Sequence, residues 1–388
     1  MFDWVIIGGG IHGCTVANFL LKNGKTTREK LLIIDPHPEP MYEWRRNTEK
    51  IGMEFLRSPS VHHIDVDPMS LHNYSSQLKE ERGFYGQYDR PSLDLFNEHC
   101  SRIIESQEIL ESWHTGTVAQ VTKRENIWLI QTEAGREILS KNIVIAVSIN
   151  RQLSIPNWAE QFYKEKKNIY HVFEERLGKL EDIKLPAVVI GGGITAAHSA
   201  IKLAGLFPGE VTLVKRHPFR VHSFDSDPGW LGPKKLSCYS KIEDYDKRRA
   251  LIQNARNKGS IPRELFCNIK RLTKNNKLAV RDGEAVLAEE KADKIVLHFK
   301  TGDAIKAGTV ILATGFNPSL PDRGWLRQLI NEQQLKCANC GYPIVKKSLE
   351  WCDHLYVSGP LAELEIGPVS RNIAGARKAA ERIAASII

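Results

Sequence analysis

Trp4-Val5-Ile6-Ile7-Gly8-Gly9-Gly10-Ile11-His12-Gly13 runs from an apolar strand through three glycines into a helix. Near the middle of the chain, Val188-Val189-Ile190-Gly191-Gly192-Gly193-Ile194-Thr195-Ala196 repeats the pattern. Gly8 allows a tight exit from the strand, and Gly10 lets the backbone approach a pyrophosphate. Gly13, or Ala196 in the second copy, keeps the helix close to the sheet. Gly191 and Gly193 fill the first two roles in the second copy. The helix-opening residues Ile11, His12, Ile194 and Thr195 then present unpaired amides where the helix dipole favours negative charge. One such turn is a weak sign. Two in matched context predict two bound dinucleotides with electrons passing between them.

The segments downstream of the two turns distinguish the two sites. After the first turn, a helix pattern ends near Gly24, and the strand Leu31-Leu32-Ile33-Ile34 delivers Asp35. A carboxylate about 20 residues beyond the turn suits the hydroxyls of an adenosine ribose. After the second, Val211-Thr212-Leu213-Val214 delivers Lys215-Arg216-His217, with Arg220 close behind. A basic cluster receives a 2′-phosphate by charge-assisted hydrogen bonds that a carboxylate would oppose. The expectation is FAD at the first site and NADPH at the second, with a solvated basic loop as the plainer reading of the cluster.

The 388 residues, 42% apolar and 26% charged, are enough for two sizeable cores. No apolar run approaches the roughly 18 to 20 residues needed to cross a bilayer. The first strand begins by about residue 3, which leaves no room for a secretory leader and makes the cytoplasm the expected location. A net charge of +8 and a pI near 9.0 raise nucleic acid as a partner. Acids and bases are interspersed, however, and two polyanionic cofactors explain the positive potential without nucleic acid.

The rest of the chain has a repeated plan. A helix over Ser92–Ser106 leads to a β-rich stretch ending in Asn142-Ile143-Val144-Ile145-Ala146-Val147. After the second turn, Leu278–Val280, Lys294–Phe299 and Thr309–Gly315 echo it. The expected architecture is α/β: two Rossmann-like, three-layer dinucleotide-binding domains, with the NADPH domain inserted into the FAD domain. Residues 1–163 and 302–388 form the FAD part and residues 164–301 the NAD(P)H part, with a helical lid insertion at 229–262. Gly367-Pro368-Val369 opens a last helix, since proline is favoured in a first helical turn. That helix either aims its positive end at the flavin or simply packs.

With these residues in view, the chain resembles the flavoproteins with two dinucleotide-binding domains, and among them the class B flavin monooxygenases, nearest the lysine/ornithine N-hydroxylase branch. The resemblance covers nearly the whole chain. It includes both glycine turns, Ala313-Thr314-Gly315-Phe316 (similar to the family's ATG segment) and Ser358-Gly359-Pro360. Met53-Glu54-Phe55-Leu56-Arg57 is similar to the N-hydroxylases' flavin-side loop, which implies a place for Arg57 near nicotinamide and substrate. Ile169-Tyr170-His171 is similar to the monooxygenases' linker histidine. Lys166 and Lys167 stand where the family has Phe-x-Gly, and Ser148-Ile149-Asn150 replaces a usual glycine. The resemblance implies Arg57, His171 and Asn150 at the reaction face, and Gly315, Gly359, Pro368 and Val369 among the cofactor contacts. It also implies hydride transfer from NADPH to the flavin, dioxygen trapping at flavin C4a, and delivery of one oxygen atom to a small amine-type substrate.

Two rivals stay open. One is an NAD(P)H-dependent flavin reductase, of disulfide type or with another acceptor, and the other is a non-enzymatic flavin redox sensor. Disulfide chemistry needs a cysteine pair beside the flavin. Cys14 stands alone, and the one C-x-x-C, Cys337-Ala338-Asn339-Cys340, lies near the C-terminus. Seven cysteines without a leader read as reduced thiols. Cys337, Cys340, Cys352 and His354 have a loose zinc-like spacing, with free thiols the plainer reading and no metal expected. His62-His63 reads as loop or pocket lining.

Overall fold

The computed structural model describes residues 1–78 and 83–387. Its first sheet has the order Glu350–Cys352, Leu355–Val357, Glu137–Ile145, Phe2–Ile7, Leu31–Asp35, Trp113–Thr115, with Val118–Arg124 and Ile127–Thr132 attached as an antiparallel meander. Phe2–Ile7 lies between two parallel partners, Ile7 opposite both Ile34 and Ile145. The second sheet is wholly parallel: Ala279–Asp282, Val211–Lys215, Ala187–Ile190, Thr309–Leu312, Ile169–His171. In both sheets the glycine-turn strand is therefore flanked by the strand carrying the ribose-side residue and by a returning strand.

Parallel strands covered on both faces read as unbroken apolar runs, because neither face meets water. Val5, Ile6 and Ile7 are buried in the first sheet, and Val188, Val189 and Leu213 in the second. The helices Ile11–Lys22 and Ile373–Ala385 pack on each other over the first sheet, around Val16, Leu20, Ala380 and Ile383. Each large side chain so buried contributes roughly 1.5–3 kcal/mol. The helix Leu93–Ser106 starts where expected, because the Ser92 side chain accepts the Leu95 amide at 3.2 Å.

Two expectations need correction, and a third gains detail. Thr309–Leu312 does not rejoin the first sheet, as a boundary at residue 302 required; it pairs with Ala187–Ile190. All four residues are buried, and a run of that kind needs a neighbour on each side. The segment 229–262 puts Leu231 on the cleft wall and packs much of the rest into the body of the protein. Its helices Pro233–Tyr239 and Tyr245–Ala255 are docked, with Trp230, Tyr239 and Ile252 inside the first core. The Tyr239 hydroxyl donates to the Leu364 carbonyl at 2.9 Å, and Arg249 pairs with buried Glu363 at 2.8 Å. Pro368 opens a short 3-10 turn, Pro368–Arg371, and the last α-helix begins only at Ile373.

Candidate functional site

A cleft of about 1150 Å³ opens at the edge of the first sheet's strands, beside Ile7, Ile34 and Asp35. Gly8, Gly9, Gly10, Ile11, His12 and Asp35 form one end. Gly8 has φ +107°, and a methyl there would stand 2.7 Å from the Ala146 carbonyl oxygen. A methyl on Gly13 would run into the Gly8 carbonyl oxygen, so the third glycine is what lets the helix lie on the turn. Around Gly10 nothing lies within 4 Å of where a side chain would begin. The helix Ile11–Lys22 has no side-chain cap and no acid in its first turn. Its amides are thus left for an anion. Asp35 accepts from the Gly9 amide at 2.7 Å and the His37 amide at 2.9 Å. Each of its oxygens keeps lone pairs for ribose hydroxyls. The residues present fit a dinucleotide.

At the other end the cleft meets Val369, Arg371, Asn372, Ile373 and Ala374. The helix Ile373–Ala385 also lacks a side-chain cap and an early acid, so its positive end opens on the cleft. His12 joins this region to the first turn. Its Nδ1 lies 2.9 Å from the Ser358 hydroxyl, and burial lowers its pKa to about 4, keeping the ring neutral. Gly359 lies beside the His12 ring, and its carbonyl accepts from Ser370 at 2.6 Å. Gly359 and Pro368 do not line the cleft, while Val369 does.

The three expected reaction-face residues have different fates. Asn150 lines the cleft. Arg57 does too, with its Nε and Nη2 engaged: they reach the carbonyls of His222, Ser223 and Phe224 at 2.7–3.1 Å and the Ser260 hydroxyl at 2.9 Å. It clamps the two halves of the molecule together. His171 is fully buried and off the cleft. Its Nδ1 accepts the Phe173 amide at 3.3 Å, so Nε2 carries the proton and donates to the Gly315 carbonyl at 3.1 Å. Burial holds its pKa near 4, and its work is to pin the crossing between lobes. Gly315 belongs to that crossing rather than to the cleft wall.

The second turn is built differently. Only Ile194 of its residues lines the cleft; Gly191, Gly193, Thr195, Lys215 and Arg216 do not. Lys215 is 6% exposed, ion-paired with Asp282, and its ammonium lies 4.9 Å from the Phe219 ring centroid. It is a packed residue and not an open phosphate ligand. Arg216 is exposed, with Glu284 at 3.9 Å. Sequence alone does not separate these neighbours, because alternation along a strand puts one inside and the next outside only once the sheet is placed.

Several cleft residues carried no sequence signal. Asp225 accepts from the Asn372 side chain at 3.2 Å, and Tyr88, Phe224 and Leu231 close the adjoining wall. Arg323 faces the Asp35 end. His62 lines the cleft, held neutral by burial at about 4, whereas His63 is buried and hydrogen-bonded. None of the seven cysteines lines the cleft. Cys14 donates to the Gly9 carbonyl at 3.2 Å, and burial pushes its thiol up to about 12. Among the described residues no group of three or more His, Cys, Asp or Glu could hold a metal, and His354 is bonded to Asn142 instead.

The family described as pyridine nucleotide-disulphide oxidoreductase matches residues 2–228. No curated protein sequence matches the chain. Among solved structures, ornithine hydroxylase from Pseudomonas aeruginosa is similar at 17% identity and a TM-score of 0.75, over 100% of this chain and 98% of that one. The FAD-bound cadaverine monooxygenase of the desferrioxamine pathway from Erwinia amylovora is similar at 15% identity and a TM-score of 0.76, over 100% and 94%. Bacillithiol disulfide reductase from Bacillus cereus is similar at 16% identity and a TM-score of 0.63, over 100% and 98%. At these identities the likeness speaks to the fold. Among the described residues no helix is long and apolar enough to cross a membrane.

Proposed function

Because the chain belongs to the pyridine nucleotide-disulphide oxidoreductase family, we propose that it is an FAD- and NADPH-dependent monooxygenase acting on a small amine-bearing substrate with dioxygen. The observation that carries this reading is one continuous cleft. It runs from the ribose-side Asp35 past the open face of Gly10 to the positive end of Ile373–Ala385, and on to Asp225. FAD bound there supplies hydride acceptance and oxygen activation. The amides of the first turn hold its pyrophosphate, and Asp35 holds its ribose. The Ile373 helix end would favour negative charge on an isoalloxazine placed there.

Asp225 is the group suited to a cationic amine, with Asn372 fixing one of its oxygens. Val61, Tyr88, Phe224 and Leu231 line the space beside it. The family's disulfide chemistry has weaker support in this chain, since no cysteine lines the cleft and Cys14 is a deeply buried thiol. The ornithine hydroxylase and the cadaverine monooxygenase act on amines, whereas the bacillithiol enzyme reduces a disulfide, and the cysteine placement favours the former class.

The test is to incubate the flavin-loaded protein with NADPH, dioxygen and a panel of diamines and basic amino acids. Hydroxylated amine should form in step with NADPH consumption. NADPH consumption that yields only hydrogen peroxide with every amine would replace this reading with a reductase. Asp225→Asn should raise KM for the amine about tenfold or more, as loss of a charged partner does.

A further inference from the structure

Gly10 and Gly193 are counterparts in the two turns, yet their surroundings differ. The face of Gly10 is open to 4 Å, whereas the same direction from Gly193 meets the Gly259 Cα at 3.4 Å. His217 fills the neighbouring space. Its ring lies 3.4 Å from where Gly192 would carry a side chain and 3.3 Å from the same point on Gly259. An N–H···O bond to a phosphate is about 2.7–3.2 Å long, and the phosphate itself needs room beyond that. A phosphate approaching along that face of Gly193 would meet Gly259.

The covering segment is held at both ends. The Asn257 amide donates to the Asp225 carbonyl at 2.7 Å, and its side chain donates to the Phe224 carbonyl at 2.9 Å. Ser260 donates to the Asn257 carbonyl at 2.6 Å and accepts from Arg57 at 2.9 Å. Arg220 reaches the Lys258 carbonyl at 3.2 Å. Arg57, Phe224 and Asp225 all line the cleft assigned to flavin and substrate. The cover over the second turn is therefore anchored on the wall of the first site.

We propose that residues 257–260 form a latch that closes the second dinucleotide turn and must swing away before NADPH can seat its pyrophosphate there. This rests on the proposed use of NADPH. A closed latch taxes the apparent affinity for the coenzyme by the fraction of molecules that are open. Because its anchors line the first cleft, a ligand that draws Arg57 or Asp225 toward itself loosens the latch, which links coenzyme entry to the state of that cleft.

Two measurements on the FAD-loaded protein test this. Titration with NADP⁺ by calorimetry should give a Kd about tenfold lower for Asn257→Ala/Ser260→Ala than for the parent, as expected when the open fraction rises. Flavin content should be unchanged. Equal or weaker binding by a flavin-retaining variant overturns the latch. Should that variant fail to fold, hydrogen exchange on the parent decides: NADP⁺ should speed exchange at Asn257 and Ser260, and protection there overturns the proposal. If neither protein binds NADP⁺ although both hold flavin, the use of NADPH falls and the latch with it. Equal binding by both removes the latch alone.

Discussion

The two glycine turns share a sequence pattern but not a setting. The first opens on a cleft with its second glycine uncovered, while the second is roofed by Gly259 and flanked by His217. At the third position the first turn needs Gly13, because a methyl would strike the Gly8 carbonyl oxygen. The second turn carries a methyl there, on Ala196, which would lie 3.1 Å from a side chain begun at Gly191. A repeated motif thus marks two places with the same local backbone and different access.

Breaking the comparison at its strongest point means Gly13→Ala. A clash with backbone cannot be relieved by a rotamer change, so the variant should lose about 3 kcal/mol or more of stability in urea unfolding, together with its flavin. Ala196→Gly should cost only about 1 kcal/mol. Gly10→Ala should fold normally and still lose flavin affinity, since its methyl points into open space needed by a ligand.

A second difference is titratable. His12 at the first turn is neutral, its pKa lowered by burial from the unfolded value of 6.5 to about 4. The unfolded chain binds this proton first. The stability associated with the neutral ring is complete above pH 6.5 and is lost as pH falls toward 4, by about 1.4 kcal/mol per pH unit. Unfolding of His12→Gln should be less steep in pH over that window by about this amount. Identical slopes for parent and variant would mean that the ring titrates normally.

The basic cluster at the second turn sharpens the contrast at smaller scale. Arg216→Ala should raise KM for NADPH about tenfold with little change for NADH, the effect of one charge-assisted contact to a 2′-phosphate. Lys215→Ala should change the NADPH-to-NADH ratio less than about twofold, because the Lys215 ammonium is already matched by Asp282. A large effect at Lys215 with none at Arg216 would reverse the two roles.

Much of this was legible in the chain itself. The unbroken apolar runs Val5–Ile7 and Val188–Ile190, each ending in glycines, imply parallel strands covered on both faces, and Asp35 marks the ribose side of the first site. These are short-range facts: a strand, a turn and a helix lie within one stretch, and the helix demand at Gly13 is set by Gly8, its neighbour in sequence. Less legible were the membership of Thr309–Leu312, the docking of the segment after Gly229, and the direction of Arg57 and His171. Each depends on which distant surface the chain meets. Asp225 and Asn372 illustrate the limit, since residues so far apart in the chain form one hydrogen bond only after both lobes are folded.

By itself the sequence determined two dinucleotide turns, their strand–turn–helix geometry and the acidic and basic residues that come after them. Local sterics and hydrophobic patterning suffice for that. Only the tertiary structure decided that one turn is open and the other roofed, that Lys215 is spent on Asp282, and that the cysteines stay away from the cleft. Access, pairing and burial are properties of what packs against a residue, and those neighbours come from remote parts of the chain.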